Sequence, residues 1–182
     1  MNVLLHICCA PCSVMCVKTL RDAGITITGY WYNPNIHPYT EYRARLDALK
    51  GYAETIDLPM IWNDVYGLRP FIVRAISDLD NRCDGCYEER LRQTAMAAKA
   101  GGYDAFSTTL LISPYQKHER LKSVAERIAA ETGVPFHYVD FRSMFREGQR
   151  IARGLPLYMQ KYCGCIFSEE ERYRTPREPK TP

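Results

Sequence analysis

No apolar run in this 182-residue sequence approaches the roughly 20 residues that a membrane-spanning helix needs. The start lacks the basic region, long apolar core and cleavage site of a secretory signal, since Cys8 and Pro11 interrupt it almost at once. The cytoplasm is therefore the expected compartment, with no membrane partner. Internal repeats, low-complexity segments and domain linkers are missing too. So is a strong charge bias: a net charge of +3 does not by itself argue for a nucleic-acid partner. Ser107-Thr108-Thr109 has none of the glycines of a phosphate-cradling loop, so ATP use is not expected.

What is present is an ordinary globular composition, 46% hydrophobic and 25% charged, at a length that suits one domain with a sizeable core. That domain is expected over residues 1–174, with the proline-rich, charged residues 175–182 as a loose tail. Strand and helix patterns alternate. Strands are expected at residues 3–7, 25–32, 60–63, 105–109 and 136–139. Helices are expected at 11–23, 40–56, 67–79, 86–100 and 117–132, and again up to Gly154. Such alternation implies a doubly wound parallel α/β sheet with right-handed crossovers.

Eight cysteines are spread unevenly over this framework, as Cys8, Cys9, Cys12 and Cys16, then Cys83 and Cys86, then Cys163 and Cys165. Disulfide frameworks usually space their cysteines and occur in smaller chains; clustered thiols in a reducing compartment point to metal or redox chemistry. The first group follows the first strand, where ligands collect in open α/β sheets. Adjacent Cys8 and Cys9 cannot both face the core of a strand, but at a strand end both can reach one centre. Cys83-Asp-Gly-Cys86 reads as a loop entering a helix, with Gly85 allowing a tight turn and the helix end favouring thiolates. A polar, helical segment precedes it, which suits metal ligation better than a thioredoxin-like pair. Cys8, Cys9, Cys83 and Cys86 together supply four thiolates, suited to zinc or to a [4Fe–4S] cluster; the adjacent pair fits zinc knuckles poorly. Cys12 is a ligand of that centre or of a second metal beside it. Cys16 reads as a small buried hydrophobe, and His6 as a packed strand residue. Cys163-Gly-Cys165 is readable as a redox-active pair or as the completion of the metal site.

Around the thiols, Tyr30, Trp31, Tyr32 and Tyr39 offer aromatic faces, although alternate core packing is the stronger account of Tyr30–Tyr32, and Tyr39, outside the strand, is freer. Asn33, Asn35 and His37 can line a site or simply set a turn. Between Arg142 and Lys161 five basic residues face one acid, and Arg146, Arg150 and Arg153 stand at about helical spacing as candidate phosphate contacts.

Five ordered motifs resemble the cobalamin-independent epoxyqueuosine reductases of the QueH family. They are His6-x-Cys-Cys-Ala-Pro, Tyr32-Asn-Pro-Asn-Ile-His-Pro38, Cys83-x-x-Cys86, Ser107-Thr-Thr-Leu with Ile112-Ser-Pro, and Tyr162-Cys-Gly-Cys165. The resemblance implies a Rossmann-like HUP (nucleotide α-hydrolase-like) domain of strand order 3-2-1-4-5 with helices on both faces. It also implies the last step of queuosine synthesis, two-electron removal of the epoxide oxygen of epoxyqueuosine at the wobble position of tRNA, with electrons from an external donor. By motif position Cys8, Cys9, Cys83 and Cys86 would hold a [4Fe–4S] cluster and Cys163 with Cys165 would form the redox-active pair. An additional iron beside the cluster is implied, with Cys12 where some members have Asp. Asn33, Asn35, His37, Tyr39 and the three arginines are the substrate-contact candidates, and His37, Tyr115 and His118 the candidate proton donors. A zinc-stabilised nucleic-acid-binding module and a metal-free thiol–disulfide oxidoreductase remain the alternatives.

Overall fold

In the computed structural model, residues 1–174 are described; the expected tail at 175–182 lies outside them. The sheet grows from β1 (Asn2–His6), whose run Val3-Leu4-Leu5 is wholly buried, as a parallel strand covered on both faces requires. α1 (Ala10–Asp22) follows with Pro11 in its first turn, where the missing N–H costs no hydrogen bond. Then come β2 (Thr26–Trp31), α2 (Tyr39–Thr55), β3 (Met60–Trp62), α3 (Leu68–Ser77), α4 (Arg82–Ala100) and β4 (Ala105–Thr108). A short 3-10 turn at Thr109–Ile112 leads to α5 (His118–Thr132), which Gly133 ends in the left-handed region at φ 74°. α6 (Phe145–Arg153) and α7 (Ile166–Arg174) complete the described chain.

The four strands are parallel in the order β3-β2-β1-β4. α1 packs against α2, α6 and β2, whereas α4 packs against α5, β1 and β4. With right-handed crossovers the two groups cover opposite faces, because the chain winds one way from β1 to β3 and then returns past β1 to β4. The strand order reverses between β1 and β4, so the crevice beyond their carboxyl ends is the place where a ligand is expected.

Two expectations change. The fifth strand at 136–139 is reduced to one parallel bridge, Phe106 with Phe136. Tyr138 instead meets His118 of α5 at 3.0 Å, and the chain turns at Asp140, whose carboxylate accepts the Arg142 N–H at 3.1 Å. The order 3-2-1-4-5 therefore stands as 3-2-1-4. Cys83 and Cys86 are also not in a loop. α4 starts at Arg82, so both ride on its opening turns, and Gly85 is helical rather than the hinge of a tight turn. Among the described residues no helix is long and apolar enough to cross a membrane.

Candidate metal and redox centre

The ends of β1 and β4 are tied together first. His6 Nδ1 and Thr108 Oγ1 are 2.9 Å apart, and His6 Nε2 faces Asn33 Oδ1 at 3.1 Å. Burial pushes the His6 pKa down to about 4, with Arg90 adding to the effect, so the ring is neutral and structural. One step further, the Cys8 N–H donates to Thr109 Oγ1 at 3.2 Å, and the Thr109 hydroxyl lies 3.5 Å from Cys8 Sγ.

The backbone leaves β1 and enters α1 through Cys9, an extended N-cap without a side-chain cap bond. That geometry turns Cys8 and Cys9 the same way and places Cys12 one turn along. The three sulfurs lie within 4.8 Å of one another and all three residues are buried, so they form a group that can hold a metal ion. Hydrogen bonds from Cys12 and Cys9 hold the Cys8 thiol well below the usual range. Burial raises Cys9, and the bonds to Cys8 and Cys9 raise Cys12. The trio thus ionises one thiol readily and the others reluctantly, unless a cation replaces the protons. Cys16 is fully buried in the core, as a small hydrophobe would be.

Gln160 closes the trio from above. Its Nε2 donates to Cys9 Sγ at 2.9 Å and to Cys12 Sγ at 3.4 Å, while its buried Oε1 has no partner. A buried acceptor without a donor is costly to leave so.

Cys83 and Cys86 do not join the trio at that spacing. They line a second cavity of about 30 Å³, room for about one water, together with Cys163, Cys165, Asn35 and Arg90. Arg90 spans the two groups: its Nη2 donates to Cys86 Sγ at 3.2 Å, and thiolates at Cys163 and Cys8 would also favour its charge. Burial, partly offset by Arg90, pushes the Cys86 thiol up to about 12.

The Cys163-Gly-Cys165 segment is held from α2. Arg45, paired with Glu41 at 2.7 Å, donates to the carbonyls of Cys163 at 2.9 Å and Tyr162 at 3.0 Å. Tyr162 Oη donates to the His37 carbonyl, and the His37 N–H to the Gly164 carbonyl at 2.8 Å. Cys163 is exposed to the large cavity; crowding by its walls raises its thiol, while Arg90 and a 3.3 Å bond from Gln116 pull the other way. Cys163 and Cys165 are both free thiols.

Cys8, Cys12 and Cys163 open together onto that large cavity, of about 870 Å³, which Tyr115, Arg153 and Gln160 also line. The other sequence candidates fall into distinct places. Asn33 is fully buried, its amide donating to the Ile7 carbonyl at 2.9 Å. His37 is fully buried against Phe71, with ring centres 4.8 Å apart, and burial depresses its pKa to about 4. Asn35 is buried at the small cavity, and Tyr39 is exposed, stacked on Tyr42. Arg146 and Arg150 are exposed on α6, the second paired with Glu147. Of the three proton-donor candidates, Tyr115 alone lines the large cavity; His118 is buried against Tyr138.

Sequence reasoning missed Arg45, Arg90, Gln116 and Gln160. Arg90 and Arg45 had a local signal, their positions four residues after Cys86 and Glu41, which on a helix sets the side chains together.

A parallel α/β fold with a thiol-lined crevice at its topological switch point belongs among metal- or thiol-dependent proteins. Comparison with known proteins narrows the class. The family described as "Epoxyqueuosine reductase QueH" matches residues 3–171. The chain is 40% identical over 178 residues, 98% of both chains, to the epoxyqueuosine reductase QueH of Dehalococcoides mccartyi. It is 35% identical over 180 residues to that of Thermotoga maritima, covering 94% of this chain and 92% of the relative. The match to the Acinetobacter baylyi protein is 34% over 183 residues, 95% and 83% of the two chains. The chain belongs to the epoxyqueuosine reductase QueH family, and is an oxidoreductase.

Proposed function

We propose that the chain converts the epoxide of epoxyqueuosine, at the wobble position of a tRNA anticodon, into the alkene of queuosine. The observation that carries this reading is that Cys8, Cys12 and Cys163 open onto one cavity of about 870 Å³. That volume lies in the range that encloses a small ligand, and a modified base turned out of its loop would fit. Tyr115, 83% exposed and edge-on to Phe145 at 5.9 Å, offers a face for a neighbouring base. Arg153, Lys161 and Arg172 give the cavity wall positive charge for the phosphates beside it. Arg146 and Arg150 extend that charge along α6. Asn33, His37 and Asn35 act from beneath, fixing the loop that carries Tyr39 and the start of α2.

Cys8, Cys9, Cys83 and Cys86 would hold the [4Fe–4S] cluster, with Cys12 free to ligate an additional iron. The buried trio, the unpartnered Gln160 Oε1 and the lone guanidinium of Arg90 are what support a charged inorganic group here. When bound, the cluster would supply electrons singly, and an additional iron would supply Lewis acidity toward the epoxide oxygen.

The chain's own thiols balance the reaction. Epoxide to alkene consumes two electrons and two protons and releases water. Oxidation of Cys163 and Cys165 to a disulfide yields two electrons and two protons, and an external donor then restores the dithiol. Among the three candidate donors Tyr115 is the one that lines the cavity, and its hydroxyl would pass a proton to the departing oxygen. Arg45 and Tyr162 hold the segment that presents Cys163 to the cavity. We further assign the fold to the HUP type, with the Phe136 bridge marking the place of its fifth strand, and residues 1–174 to one domain.

The test is anaerobic purification with iron, acid-labile sulfide and zinc measured per chain, followed by assay on tRNA bearing epoxyqueuosine. About four or more irons with matching sulfide, and epoxide loss that Cys83→Ala abolishes, are expected. Zinc without sulfide would make a metal-stabilised binding module the better account.

A further inference from the structure

Two arginines among the described residues are buried, and they differ in their partners. Arg45 has the Glu41 carboxylate at 2.7 Å. Arg90 is 2% exposed, and among the described residues no carboxylate lies within the 4.0 Å of an ion pair with it. Its Nε donates to the Cys86 carbonyl at 3.1 Å and its Nη2 to the Cys86 sulfur at 3.2 Å; the Tyr87 ring centre is 6.0 Å away. An uncompensated buried charge costs several kcal/mol, so this position requires a negative partner.

The available partners are sulfurs. Cys86, Cys163 and Cys8 come from α4, from the segment before α7 and from the end of β1; burial works against the Arg90 charge, and thiolates at those three positions would favour it. Were all the thiols protonated, the guanidinium would stand alone in the interior. The site is therefore built for an anionic set of thiolates, and the cation at its centre is common to groups that the sequence keeps apart.

We propose that Arg90 is the residue that sets the reduction potential of the cluster, by compensating its negative charge through the N–H···S bond to Cys86. This rests on the reading of Cys8, Cys9, Cys83 and Cys86 as cluster ligands. Taking up one electron makes the cluster and its thiolates one unit more negative. A fixed cation in a poorly solvated site stabilises the reduced form more than the oxidised one, and hydrogen bonds to the sulfurs act in the same direction. Because Arg90 lies four residues after Cys86 on one helix, the donor moves with its acceptor.

The experiment is a dye-mediated potentiometric titration of the anaerobically reconstituted protein, with dithionite as reductant, on wild type, Arg90→Met, Arg90→Gln and Arg90→Lys. In both neutral variants the ratio of reduced to oxidised cluster at a fixed potential falls at least tenfold, a shift of about 59 mV to more negative values for a one-electron couple. Arg90→Lys restores most of it. Loss of the cluster from both neutral variants but not from Arg90→Lys would equally support charge compensation. Unshifted potentials in variants with full clusters overturn the proposal, as does the same shift or loss in all three. Wild-type protein that takes up no iron and sulfide would sink the cluster reading itself; a loaded wild type with unshifted variants sinks this inference alone.

Discussion

Arg45 and Cys163 are 118 positions apart in the sequence, yet the guanidinium Nη1 of one donates to the carbonyl oxygen of the other at 2.9 Å. The same side chain is locked by Glu41, which also accepts from Tyr158. The thiol pair is thus anchored to α2 through a buried ion pair rather than through its own short loop. Arg45→Met leaves Glu41 buried without its cation and should cost about 3–5 kcal/mol in urea unfolding of the metal-free protein. Adding Glu41→Gln should return part of that loss. A cost under about 1 kcal/mol for the single variant would mean the pair does not hold the segment.

The pH dependence of stability should carry the mark of His37. Burial depresses its pKa from 6.5 to about 4, with the Pro34 carbonyl bond opposing in part. The unfolded chain takes up the proton below about pH 6.5, whereas the folded chain resists until about pH 4. Stability that is complete above the unfolded value is therefore lost as pH falls through this window, by up to about 1.4 kcal/mol per unit. Denaturant melts of metal-free wild type and His37→Leu between pH 4 and pH 7 measure it; the variant should show the shallower slope.

Gly164 sits at φ 148°, and a Cβ there would lie 3.3 Å from both Arg45 Nη1 and Ile36 Cγ1. Gly164→Ala should lower stability by about 1–3 kcal/mol through backbone strain. It should also slow oxidation of Cys163 and Cys165 to the disulfide, read by mass spectrometry after timed alkylation. Unchanged kinetics would separate the backbone conformation from the thiol chemistry.

Cys12 and Cys16 lie one turn apart on α1 but should behave differently. Cys16 is fully buried among core residues, so Cys16→Ala should leave iron per chain unchanged and cost about 1 kcal/mol. Cys12→Ser should reduce bound iron without a comparable loss of stability. Equal iron loss in the two variants would count against the trio as a metal site.

Much of this arrangement was legible from residue order. The run Val3-Leu4-Leu5 followed by Cys8, Cys9 and Pro11 places three thiols at a strand-to-helix junction, and the trio forms there because adjacent residues diverge only while the strand lasts. The fifth strand misled, since the residues 136–139 look extended in isolation but Tyr138 finds its partner on α5. Cys83 looked like a loop residue because polar neighbours precede it; the helix begins earlier without a side-chain cap to announce it. The burial of the guanidiniums was illegible for another reason. Nothing near Arg45 or Arg90 shows that either is buried, because what buries them arrives from distant segments.

The placement of Cys83, Cys86 and Arg90 on one helix has a consequence for how this family can vary. An α-helix turns about 100° per residue, so inserting or deleting a single residue between Cys83 and Arg90 would swing one part of the set a quarter turn or more from the rest. Substitutions on the outer side of α4 leave that indexing untouched. Descendants of this sequence can thus change identity freely along much of the segment but not its length, and gaps in this interval should be far rarer than changes of residue.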